Sequence, residues 1–209
     1  MNKYLVEFIG TFFLVFAIGN VSLGGLDGNV APLAIGATLM VMIYAGGHIS
    51  GAHYNPAVTL AIFLRGKCEA NDVAPYMVVQ IVAAAAAAYL AIFLQGATEK
   101  PPMELDIAKA IAAEIAFTFA LAFVILNVAT AARTSGNSFY GVAIGFTVVA
   151  GAYTVGAVSG GVFNPAVAVG VSLMKLQAWS NIWVFLVANF VGGALAAVVF
   201  KIVNPPDAP

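Results

Sequence analysis

A nine-residue stretch of this chain comes back in altered form 109 positions later. Ser50-Gly51-Ala52-His53-Tyr54-Asn55-Pro56-Ala57-Val58 is matched by Ser159-Gly160-Gly161-Val162-Phe163-Asn164-Pro165-Ala166-Val167. Each Asn-Pro-Ala opens an apolar stretch of about ten residues, 55–64 and 164–173. As a helix, such a stretch is about 15 Å long, half of the roughly 30 Å of a bilayer's hydrocarbon core. Neither can cross. Non-helical backbone at that depth is tolerated only where protein buries it or water lines it, so the rest of the chain has to wall these two starts off from lipid.

The rest of the chain is suited to that task. Six longer apolar segments qualify as spans, at about 4–22, 32–49, 73–95, 106–129, 139–158 and 179–203. The breaks between them carry turn and charge signals: Leu26-Asp27-Gly28-Asn29, Arg65-Gly66-Lys67-Cys68-Glu69, Glu99-Lys100-Pro101-Pro102 and Arg133-Thr134-Ser135-Gly136-Asn137. The 209 residues are 62% hydrophobic and 8% charged, against roughly 25% charged in a soluble domain. Most of the surface therefore faces hydrocarbon. A net charge of −1 gives no reason to expect nucleic acid. Lys3 before an apolar run has the look of a signal peptide, but Glu7 inside that run reads instead as part of a first span. Residues 204–209 form a short tail.

The repetition extends beyond the nine residues. Ala34-Ile35-Gly36 recurs as Ala143-Ile144-Gly145 at the same offset of 109, and Glu7 with Thr11-Phe12 recurs as Glu114 with Thr118-Phe119 at 107. With three spans in each half, the second half must enter the membrane from the opposite side. The expected fold class is all-α: six transmembrane helices plus two half-spanning helices in an inverted repeat. It forms one domain from halves of about 1–98 and 106–209, with the site at the repeat interface near the midplane. Basic residues set the orientation. With both termini cytoplasmic, Lys3, Arg65, Lys67, Arg133 and Lys201 lie inside and Lys100, Lys109 and Lys175 outside.

Asn-Pro-Ala is a good helix start. Asn is a favoured N-cap, and Pro suits the first turn because its missing N–H would have no intrahelical acceptor. One copy is commonplace; two copies at matched positions, each opening a half-span, point to function. Inversion brings both starts together at mid-membrane, where two helix ends of about +0.5 charge each face one small space. That space repels cations, protons included. The Asn55 and Asn164 amides can hold a water through its oxygen and so break a proton-conducting file.

The other chemistry-bearing residues divide into structural and functional readings. Glu7 and Glu114 lie inside apolar spans, where carboxylates are costly and usually functional. They read either as a proton relay or as acceptors for the backbone N–H groups of the loops before Asn55 and Asn164. His48 and His53, with no acidic cluster nearby, read as hydrogen-bonded structural residues rather than a metal site. Cys68 is the only cysteine, so it forms no intramolecular disulfide and no cysteine-based metal site. An enzyme would need a nucleophile and base in reach, for example Ser50 or Ser159 with His48 or His53, and the second copy has Val162 where the first has His53. Gly10, Gly36, Gly145, Gly192 and Gly193 read as helix–helix contact positions.

Duplicated Asn-Pro-Ala, preceded by Gly47-His48-Ile49-Ser50-Gly51-Ala52-His53-Tyr54, closely resembles the aquaporin (major intrinsic protein) family. The likeness runs the whole chain, through six spans, two half-helices and Glu-x-x-x-Thr-Phe in spans one and four. It implies a homotetramer with a pore in each subunit, no cofactor, and Asn55-Pro56-Ala57 and Asn164-Pro165-Ala166 at the pore centre. It favours the loop-anchoring reading of Glu7 and Glu114. It also implies a constriction at four positions, which fall on Ile35, Ala152, Gly161 and Val167. Relatives normally hold Arg at the last of these, and glycerol-type members usually have Asp after it; here Val167 and Ala168 stand there. The expected function is a passive channel in the plasma (cell inner) membrane. It would pass water and small uncharged solutes such as glycerol, urea or ammonia, and refuse protons and ions at its centre. The constriction would be wide and apolar unless Tyr153 or Phe163 fills it. The rivals are an intramembrane enzyme and an ion-coupled transporter that rocks one half against the other.

Overall fold

The computed structural model describes residues 2–26 and 30–204. Asp27, Gly28 and Asn29 of the first expected break, and the tail beyond Asn204, lie outside the described residues. The first half runs α1 (Asn2–Leu23), α2 (Ala31–Ser50), α3 (Pro56–Leu64) and α4 (Ala70–Gln95); the second runs α5 (Ile107–Ile125), α6 (Tyr140–Ser159), α7 (Pro165–Leu173) and α8 (Ile182–Val203). The six long helices are long and apolar enough to cross a membrane, and α3 and α7 have nine residues each. The expected spans are met within a few residues. α4 starts at Ala70 rather than 73, and α8 at Ile182 rather than 179, after a 3-10 turn at Trp179–Asn181. The fourth span leaves α geometry over Leu126–Thr130, a π-turn. There the Asn127 amide donates to Phe123 O at 2.8 Å and the Thr130 hydroxyl to Leu126 O at 2.6 Å. Such side-chain competition for helix carbonyls loosens the regular ladder.

Helix ends are set by local chemistry. Asp106 caps α5 by accepting from Lys109 N at 3.2 Å. Its hydrogen bond to the Lys109 ammonium, 3.0 Å away, holds its carboxyl below the usual carboxylate range. The two half-helices carry the same cap. Asn55 and Asn164 are extended at φ −160°, and each side-chain oxygen accepts from two N–H groups of the following turn.

The lipid-facing and inward faces differ in side-chain size. Large apolar residues such as Phe93, Ile202 and Leu5 stand exposed on the outside, a surface suited to hydrocarbon. Small residues mark the close approaches inside. A Cβ at Gly36 would lie 2.6 Å from Gly145 O, and one at Gly145 would lie 2.5 Å from Gly36 O, so α2 and α6 touch backbone to backbone. A Cβ at Gly193 would lie 2.6 Å from Ala57 O and one at Gly192 2.7 Å from Ile115 O, while Gly10 makes room for the Tyr54 ring. Gly145→Ala is expected to push α2 from α6 and to lower stability by about 1–3 kcal/mol, the usual cost of overpacking. Thermal unfolding in detergent measures this, and an unchanged midpoint would show that the contact is loose.

Candidate pore

The two Asn-capped starts meet head to head. Asn55 Nδ2 donates to Phe163 O at 2.8 Å, and Asn164 Nδ2 donates to Tyr54 O at 2.9 Å. Asn55 Oδ1 accepts from Ala57 N at 2.8 Å and Val58 N at 3.4 Å; Asn164 Oδ1 accepts from Ala166 N at 2.9 Å and Val167 N at 3.4 Å. Each amide NH2 has two protons, and the bond to the opposite loop uses one. The other remains to be offered to the space between the half-helices. Pro56 and Pro165 occupy the first helical turns, and Ala57 and Ala166 are wholly buried behind them.

That space belongs to a cavity of about 230 Å³. Asn55 and Asn164 line it with Ile35, Ala152, Gly161 and Val167, the four positions expected at a constriction, and with His53, Phe163, Met103 and Gln177. Among the described residues, no Asp, Glu, Lys or Arg lines it. Tyr153 is about half exposed and not among them either. Phe163 does line the cavity, but its ring tilts against Phe117 with centroids 5.5 Å apart and is almost fully buried.

Comparisons with known proteins place the chain in a family. The Major intrinsic protein family matches residues 1–200. The chain belongs to that family. It is 36% identical over 213 residues to aquaporin NIP1-4 of Oryza sativa subsp. japonica, covering 98% of this chain and 77% of the relative. It is 35% identical over 221 residues to glycerol uptake facilitator protein-like 6 of Lactiplantibacillus plantarum, covering 99% and 100%. Its fold matches the X-ray structure of the aquaglyceroporin from Plasmodium falciparum with a TM-score of 0.83 at 23% identity, covering 98% and 97%. The protein is thus a multi-pass integral membrane channel of the major intrinsic protein (aquaporin) family, and not an enzyme.

Each loop of this major intrinsic protein hangs from one buried carboxylate. Glu7 Oε1 accepts from Ser50 Oγ at 2.7 Å and His53 N at 2.9 Å; Oε2 accepts from Tyr54 N at 2.7 Å and Gln80 Nε2 at 2.8 Å. Glu114 repeats the pattern with Ser159 Oγ at 2.7 Å, Val162 N at 2.9 Å, Phe163 N at 2.7 Å and Asn189 Nδ2 at 2.8 Å. These bonds hold Tyr54 at φ +51° and Phe163 at φ +49°. Left-handed conformations of bulky residues cost about 1–3 kcal/mol and persist only where surroundings enforce them. The twist aims both loop carbonyls at the opposing Asn.

The Ser–His pairing that an enzyme would need is not formed. The Ser50 hydroxyl goes to Glu7, His53 Nδ1 sits 3.1 Å from Thr59 Oγ1, and His48 is exposed at the end of α2. Among the described residues no three His, Cys, Asp or Glu side chains gather as a metal site would require.

Sequence reasoning passed over Gln80 and Asn189. Each donates both to its carboxylate and to a threonine, Thr59 at 3.1 Å and Thr118 at 3.0 Å. The signal was present, since Gln80 and Asn189 are 109 positions apart and both interrupt apolar spans. Applying the repeat to every polar residue within a span would have found them.

Proposed function

We propose that this protein passes water and neutral solutes larger than water, such as urea, glycerol or ammonia, and refuses ions. The observation that carries the reading is the cavity wall at Ile35, Ala152, Gly161 and Val167, apolar and mostly small. A guanidinium at position 167 would narrow the opening, donate to passing oxygens and add positive charge. Val does none of these. An apolar wall also cannot replace an ion's hydration shell, and the two helix N-termini at the centre oppose cations. One relative is named an aquaporin and another glycerol uptake facilitator protein-like 6, which supports a pore open to more than water. The chain works as one channel domain of two inverted repeats, about 1–98 and 106–209, in a homotetramer with a pore in each subunit. It lies in the plasma (cell inner) membrane with both termini cytoplasmic, in line with five basic residues on that side against three.

Stopped-flow swelling and shrinkage of proteoliposomes against water, glycerol, urea and ammonia gradients tests the proposal. Water flow with no passage of any larger neutral solute would overturn the wide pore; dependence on a proton or sodium gradient would overturn the channel in favour of a coupled transporter. The central barrier has its own test. Asn55→Asp or Asn164→Asp puts a carboxylate where two helix N-termini converge, and cation conductance should rise on the order of tenfold or more. A well-inserted Asp variant that conducts water and stays as cation-tight as the parent would remove the barrier from these residues.

A further inference from the structure

The four expected constriction positions lie on α2, α6, α7 and the loop before α7. The cavity has one more contributor. Among the described residues, Met103 alone lines it from the connection between α4 and α5. Chain topology puts Met103 on the same side of the Asn pair as the other four. α1, α4 and α6 end on one face of the bundle, where α2, α5 and α8 begin. Ile35 lies one turn into α2, Ala152 two turns before the end of α6, and Gly161 just past that end.

The segment that carries Met103 is held at several points. Gly96 ends α4 at φ +85°, and Asp106 caps α5. Between them Pro101 and Pro102 offer no N–H and hold φ fixed, which keeps the chain out of a helix. Met103 N donates to Leu176 O at 3.2 Å, joining the segment to the loop after α7. Gln177 Nε2 gives one proton to Ser159 O at 3.2 Å and the other to Met103 Sδ at 3.6 Å. A Cβ on Gly160 would stand 3.9 Å from the same sulfur. The half-buried thioether therefore lies beside Gly160, next to a constriction position, Gly161, that has no side chain of its own.

We propose that Met103 is a fifth constriction residue, a movable apolar plug that sorts neutral solutes by bulk. Methionine has three rotatable bonds and a polarizable sulfur, so it fills an irregular gap and can turn aside. The sulfur is a weak acceptor, so its hydrogen bond to Gln177 does little to hold it. Water and flat urea pass beside the thioether. A branched polyol such as glycerol has to displace it while giving up hydration against an apolar wall. This deepens the wide-pore reading above and rests on it.

Stopped-flow passage of water, urea and glycerol through the full chain in proteoliposomes tests this with Met103→Ala, Met103→Leu and Met103→Phe. Ala empties the gap and should raise glycerol passage about fivefold relative to water, since pore diameter governs entry. Leu restores most of the bulk and should return the wild-type ratio. Phe adds bulk and should lower glycerol passage while water stays within about twofold. The Phe variant decides the matter if the Ala variant fails to insert. Unchanged glycerol-to-water ratios in the folded variants overturn the role of Met103 and leave the wide pore standing. So does an equal rise of water and glycerol in the Ala variant, which makes the segment a lid without selectivity. Wild type closed to urea and glycerol, with an Ala variant that passes both, upholds the plug and overturns the wide opening of the wild-type channel. Passage of water alone through wild type and the Ala variant overturns both readings together.

Discussion

Glu114→Ala should remove most of the folded protein from the membrane, and Glu7→Ala should do nearly the same. Each carboxylate gathers four donors, two of them backbone N–H groups of a loop in left-handed conformation. The Ser and the amide donors can turn toward other partners; the two backbone N–H groups cannot. Stranding a buried donor costs about 1–3 kcal/mol, so two cost about 2–6 kcal/mol, a large share of a stability of about 5–15 kcal/mol. Strain at Tyr54 or Phe163 would then be released, and the carbonyl that meets the opposite Asn would turn away. Glu→Gln keeps one acceptor oxygen and should fall between Ala and wild type. Membrane yield, thermal unfolding in detergent and water flow measure the series. Equal stability and flow in all four variants would show that neither carboxylate holds its loop.

Val167→Arg should convert the channel's selectivity rather than its fold. The side chain at 167 is buried at the cavity wall, and its backbone N–H donates to Asn164 Oδ1. The cap therefore survives any side chain at this position. An Arg would extend a fork of donors across a cavity of about 230 Å³. Passage of urea and glycerol should drop about tenfold or more while water keeps within about threefold, because a planar guanidinium leaves room for one small oxygen at a time. Solute-by-solute stopped flow on the variant measures the split. If all solutes slow alike, position 167 sets only the total opening; if none slows, the Arg points elsewhere and another residue limits the pore.

The long-range plan of the fold was legible from periodicity and repetition because both arise from local rules. Hydrocarbon thickness fixes span length, Asn and Pro specify a helix start, and an odd number of spans per half enforces inversion. Hence α1 to α8 fall within a few residues of where composition puts them. The candidate pore was legible in part. Asn55, Asn164 and the positions at 35, 152, 161 and 167 all come to one cavity, and Glu7 and Glu114 both sit under the loops. Gln80 and Asn189 are marked only by the repeat that pairs them across 109 residues, and Gln177, which falls opposite Cys68, has no such counterpart. Tyr153 is not among the residues that line the cavity, since adjacency to Ala152 says nothing about which helix face a neighbour takes.

The sequence by itself determined what had to be paired: two half-helices, two carboxylates, two Asn caps, and a wall without charge. Tertiary structure alone decided how they pair. Each Asn donates not within its own loop but to the carbonyl of the other one, 108 and 110 residues away. The last carbonyl of α2 takes the Tyr76 hydroxyl and that of α6 the Gln177 amide. Local chemistry specifies helix starts and spans because their partners lie within a turn. The partners of a buried polar atom lie wherever packing brings them, and only the folded chain says which atoms those are.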